Sequence, residues 1–172
     1  GFQRGLSVSH DRLGNLYLRE GDVDNALLAY ESGMEIRQQL VKLDSKNVEF
    51  QRDFSVSHDK LGDLYLRAGE VDKALLAYEA GMVIRQQLVA LDPKNVGFQR
   101  DVSVSHNKLG DLYQRAGDVD KALEAYEAGM DIAKQLVELD PKNVGFQRDV
   151  SVSHDKLGDL YQRAGDVDKA LE

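Results

Sequence analysis

The chain has 172 residues, 42% of them apolar and enough for a packed interior, and a net charge of -8. That charge argues against nucleic acid as a partner, because phosphate contacts need a basic face. The chain has no cysteine, which removes disulfides, thiolate metal sites and a cysteine nucleophile, and no apolar run long enough to predict a transmembrane helix.

The sequence repeats itself. His10, His58, His106 and His154 are 48 residues apart, as are Phe2, Phe50, Phe98 and Phe146, and Tyr17, Tyr65, Tyr113 and Tyr161. Residues 145–172 differ from 97–124 only where Asp155 replaces Asn107. A fixed period of this size marks stacked supersecondary units. The expected organisation is one repeat array over 1–172, made of units 1–48, 49–96 and 97–144 and a partial unit 145–172.

Within a unit two helices are predicted, and the third unit shows them best. Phe98, Val102, His106 or Ser105, Leu109, Tyr113 and Ala116 recur at steps of three and four, one face of a helix over roughly Val96 to Ala116. Asn95 is placed to accept its first free N–H groups, and Gly117 can take the left-handed conformation that ends it. The VSVS run at Val102–Ser105 alternates like a strand but sits inside this longer period, so helix is expected. Asp118 is placed to cap the second helix, with Asp120 in its first turn. Ala122, Tyr126, Gly129, Ala133 and Leu136 form its stripe over roughly Val119 to Leu139, and Pro141 stops it. The two-residue link dictates an antiparallel hairpin. Helix-interior glycines at Gly14, Gly33, Gly62, Gly81, Gly110 and Gly129 weaken a helix by about 1 kcal/mol each. Their recurrence implies close packing between the two helices.

Several chemical readings fail on spacing. Equivalent histidines in successive units are expected about 10 Å or more apart, too far to share a zinc ion, so they read as packing residues between the helices. The Asp-Val-Asp segments at Asp22, Asp118 and Asp166 lack the later oxygen ligands of a calcium loop and read as helix caps. Ser7, Ser55, Ser103 and Ser151 read as small residues at a packed interface. No phosphate loop, dinucleotide fingerprint, HExxH or nucleophile elbow is present. No catalytic residue, metal or cofactor is expected.

His106, Leu109, Gly110, Tyr113, Gly117, Ala122, Tyr126 and Gly129, with their copies, resemble the signature of tetratricopeptide repeat (TPR) proteins. Two features depart from it: the period is 48 rather than about 34 residues, and histidine stands where tryptophan is common. The resemblance implies an all-α, right-handed α-solenoid of antiparallel helix hairpins, a TPR-like superhelix whose first (A) helices line a concave side. The concave, peptide-binding positions it implies are Val8, Asp11, Asn15, Leu18 and Arg19; Val56, Asp59, Asp63, Leu66 and Arg67; Val104, Asn107, Asp111, Gln114 and Arg115; and Val152, Asp155, Asp159, Gln162 and Arg163.

The expected function is a non-catalytic scaffold that presents this extended surface to a protein or peptide. The row of aspartates suits a partner with basic side chains. The competing reading is solvated surface charge, partly paired with Arg19, Arg67, Arg115 and Arg163. An alternative from another class is self-assembly, with homo-oligomers stacking or exchanging helices through uncapped ends, in a consensus design or a fragment of a longer array. Neither nucleic acid nor membrane is expected as a partner. With no leader visible, a cytoplasmic location is expected.

Overall fold

The computed structural model describes residues 1–165 and, among them, seven helices and no strand. The helices are α1 (Phe2–Glu20), α2 (Val23–Leu43), α3 (Val48–Arg67), α4 (Val71–Leu91), α5 (Val96–Arg115), α6 (Val119–Leu139) and α7 (Val144–Ala164). Odd-numbered helices are the A helices and even-numbered ones the B helices.

Side-chain chemistry sets the boundaries. Asn47, Asn95 and Asn143 each accept two backbone N–H groups from the first turns of α3, α5 and α7. Asp22 and Asp118 accept one each from Asn25 and Lys121. Gly21, Gly69, Gly117 and Gly165 follow the A helices with φ between 77° and 82°, a conformation that penalises any side chain. The bounds of α6 are those expected. Helix α5 ends at Arg115, with Ala116 as its cap residue. The VSVS run is helical. The cap expected at Asp166 lies outside the described residues.

The chain forms two compact units, Gly1–Leu88 and Val89–Glu172. In the first, Ala26, Tyr30, Leu61 and Leu64 form a buried cluster, joined by Tyr17, Leu18 and Met34. In the second, Ala122, Tyr126 and Leu160 do the same, joined by Tyr113, Leu123 and Leu157. Each cluster draws on an A–B hairpin and on the A helix that follows it, so within each unit the first hairpin covers apolar surface of the next A helix.

The A-helix glycines are explained by the B-helix tyrosines, and the B-helix glycines by the A-helix backbone. A Cβ at Gly14, Gly62 or Gly110 would lie 2.5, 2.5 or 2.4 Å from the ring of Tyr30, Tyr78 or Tyr126. A Cβ at Gly129 would meet the Ser103 carbonyl at 3.0 Å. Glycine therefore lets the two helices approach. Gly110→Ala gains about 1 kcal/mol of helix propensity but must displace a buried ring, and overpacking of this kind costs about 1–3 kcal/mol. We expect a lower urea midpoint for Gly110→Ala, and a raised midpoint would contradict this packing.

Candidate functional site

The expected binding positions lie on the four A helices. Val8, Val56, Val104 and Val152 are 39%, 39%, 39% and 37% exposed, so the same apolar contact is offered at every repeat. Arg19, Arg67, Arg115 and Arg163 are exposed at the C-terminal ends of the A helices, and Leu18, Leu66 and Gln114 are half-buried. Asn15, Asp63, Asp155, Asp159 and Gln162 are exposed.

Most of the carboxylates in the row are engaged within the protein, and Asp11, Asp59 and Asp111 pair with cations of neighbouring helices. Asp11 is buried. Arg37 of α2 donates to both its oxygens, Nη1 to Oδ1 at 3.1 Å and Nη2 to Oδ2 at 2.5 Å. Lys60 of α3 places its Nζ 2.7 Å from Asp11 Oδ2. The same Arg37 donates from Nη1 to the Ser57 hydroxyl at 2.8 Å. One carboxylate thus ties α1, α2 and α3 together. Asp59 of α3 accepts two bonds from Arg85 of α4, at 2.9 and 2.8 Å. Asn15, Asp63 and Asp111 each accept the hydroxyl of a B-helix tyrosine, Tyr30, Tyr78 and Tyr126.

In the second unit Asn107 stands in place of the paired aspartate, and the tie moves. Lys156 of α7 places its Nζ 2.5 Å from Asp111. In both units the lysine lies over the tyrosine that bonds the preceding A helix, Lys60 5.8 Å from Tyr30 and Lys156 5.7 Å from Tyr126. At the other end of the helices, Arg4 binds Asp53 at 2.6 Å and Arg100 binds Asp149 at 2.5 Å. Sequence reasoning missed Arg4, Arg37, Lys60, Arg85, Arg100 and Lys156. The signal available was the joint loss of one aspartate and one arginine at Asn107 and Ala133.

Burial alone would push the Asp11 carboxyl up, but the bonds from Arg37 and Lys60 outweigh it and hold it below the usual carboxylate range. Burial pushes Tyr30 and Tyr126 up, and the Asp111 carboxylate raises Tyr126 further. His58 and His106 are half-buried with their Cβ atoms against Gly81 and Gly129, and the Phe54 ring meets His58 edge-on. Burial lowers both imidazoles; at His58 the Asp59 carboxylate opposes that and Arg85 reinforces it.

A pH prediction follows from the histidines. An unfolded imidazole titrates near about 6.5. Between that value and the lower folded one, the unfolded chain binds more protons. The stabilisation is therefore complete above about pH 6.5 and is lost as pH falls through the folded pKa values. Urea midpoints are expected to fall between pH 7.5 and 5.5, less steeply in His106→Gln. An unchanged slope in that variant would remove His106 from the effect.

With this geometry described, comparison with known proteins is informative. Residues 9–40 and 105–137, spanning most of the α1–α2 and α5–α6 hairpins, match the tetratricopeptide repeat family. These two stretches are similar to tetratricopeptide repeats. The chain is also similar in structure to BtubC (BKLC) from P. vanneervenii, with a TM-score of 0.72 and 23% identity over 96% of this chain and 59% of that one. At that identity the likeness shows the fold, an all-α solenoid of helical hairpins. This chain spans less than two thirds of that relative's length. No curated protein sequence matches it. Tetratricopeptide repeats generally serve protein–protein interaction and are generally non-catalytic. Among the described residues no helix is long and apolar enough to cross a membrane.

Proposed function

We propose that this chain is a non-catalytic scaffold whose A helices hold a protein or peptide partner in an extended conformation. The recurrence of an exposed valine at Val8, Val56, Val104 and Val152 carries the reading. Within each unit, a surface that offers the same apolar contact on successive A helices suits a partner that runs across those helices. The ties beneath it hold the A helices in place, which limits the entropy lost on binding. The net charge of -8 suits a partner with basic side chains.

The test is a fluorescence titration of the full chain with lysine-rich and aspartate-rich decapeptides at low and high salt, repeated with Val56→Asp and Val104→Asp. The lysine-rich peptide is expected to bind more tightly and to weaken with salt, and each variant to lose about tenfold. Equal affinities with no salt dependence, or variants that bind as the wild type does, would sink the proposal.

A further inference from the structure

The three described hairpins are near copies, so each A helix meets several B helices that it could accept, in its own chain or in another copy. Mispairing and helix exchange are the characteristic hazards of such arrays. The B helices α2, α4 and α6 differ at Asn25, Leu28, Ser32, Glu35, Arg37, Gln38 and Lys42 and the equivalent positions. All but one of these positions are exposed or half-exposed. The buried one is Arg37, Arg85 and Ala133.

At this position the A helix changes in step. Asp11 faces Arg37 and Asp59 faces Arg85, each through two N–H···O bonds. In the third hairpin Asn107 and Ala133 stand together, the alanine 0% exposed. Asn107 occupies the place of the aspartates. The nearest approach of its Oδ1 to a Cβ built at Gly129 is 3.1 Å, and that of Asp11 Oδ1 to one at Gly33 is 3.4 Å. The hydroxyl of the following A helix is satisfied in both versions. Ser57 accepts from Arg37 Nη1 at 2.8 Å, and Ser153 accepts from Asn107 Nδ2 at 3.0 Å. Both pairings therefore join the A helix to the next A helix, one through charged groups and the intervening B helix, the other through neutral groups alone. A crossed pairing leaves a charge unmatched: aspartate against Ala133 lacks its guanidinium, and arginine against Asn107 is buried without a counter-ion.

We propose that this pair of positions is a matching code for hairpin assembly. It joins each A helix to a B helix of its own type and confines helix exchange between copies of the chain to hairpins of like type. Loss of one member of a buried ion pair shifts an equilibrium by on the order of a hundredfold or more, enough to discriminate between helices that otherwise present the same buried face.

The test compares full-length chains of identical composition and net charge. Arg37→Ala with Ala133→Arg transposes only the B-helix half of the code. Adding Asp11→Asn and Asn107→Asp transposes both halves. In urea unfolding, the half-transposed chain is expected to lose at least about a hundredfold in its folding equilibrium, or to fail to fold, and the fully transposed chain to return to within about tenfold of wild type. A half-transposed chain as stable as wild type, or a fully transposed chain that does not recover, overturns the proposal. A second variant, Asn107→Asp with Ala133→Arg, makes all three hairpins charged. After refolding at high concentration it is expected to give several times more exchanged dimer than wild type by size-exclusion chromatography. An unchanged dimer fraction overturns the claim about exchange.

Discussion

Asp11→Ala is expected to destabilise the protein by about 3–5 kcal/mol, as removing one partner of a buried ion pair does. Arg37 is 5% exposed, and its Nε is already buried without a partner. Without Asp11 its guanidinium keeps one protein contact, the Ser57 hydroxyl, and no counter-ion. Lys60 loses its carboxylate as well, but at 27% exposure it reaches water. The comparison is Arg4→Ala, which breaks ion pairs to Asp53 and Glu49 at a site where the arginine is 42% exposed. Such surface pairs contribute about 0–1 kcal/mol. Urea unfolding of the two variants under one set of conditions should separate them clearly. Equal losses would mean that the Asp11 tie adds nothing beyond a surface contact.

Tyr126→Ala is expected to cost a similar amount, about 3–5 kcal/mol, for a different reason. The ring is 1% exposed and lies in the notch that Gly110 leaves in α5. Its hydroxyl donates to Asp111 at 2.6 Å, and Lys156 of α7 lies over its face. Truncation opens a cavity between α5 and α6 and removes the surface on which α7 rests. Tyr126→Phe keeps the ring and removes only the hydroxyl bond, so it should cost about 0.5–1.5 kcal/mol. Amide exchange adds a spatial check: α7 should lose protection in the alanine variant and keep it in the phenylalanine one. Loss of protection confined to α6 would contradict the coupling between hairpins.

The helices were legible because their ends carry local signals. Asn95, Asp118 and Gly117 each act within three residues of themselves, so sequence spacing suffices, and both helices of the third unit begin and end within a residue of expectation. The close approach of A and B helices was legible too, from glycines that no isolated helix would favour. The state of the groove carboxylates was not. Asp11 looks like surface charge because its partners are 26 and 49 residues away, and their meeting depends on how helices stack. Nearby arginines such as Arg19 were the obvious candidates by sequence, yet Arg37 and Lys60 take the carboxylate. The Asp111 contact shows the same limit: Lys156 goes to Asp111 because Asn107, the counterpart of Asp11, carries no charge. One clue was readable without coordinates. Where aspartate becomes Asn107, the arginine 26 positions on becomes Ala133, and two such changes in step indicate contact.

The ties also bear on function. A carboxylate already held by Arg37 and Lys60 is a poor receptor for a partner's basic side chain, since the partner must displace them. On the proposed function, contacts to a partner fall to the exposed valines, and the paired aspartates hold the A helices beneath them.

The most direct measurement of that division is the carboxyl titration of Asp11 by carbon-detected NMR. If its carboxylate binds helices together, its pKa falls below the ordinary aspartate value of about 3.9 and rises toward it when Arg37 is replaced by methionine. A pKa at or above the ordinary value in the wild-type chain would contradict the tie and return Asp11 to the surface available to a partner.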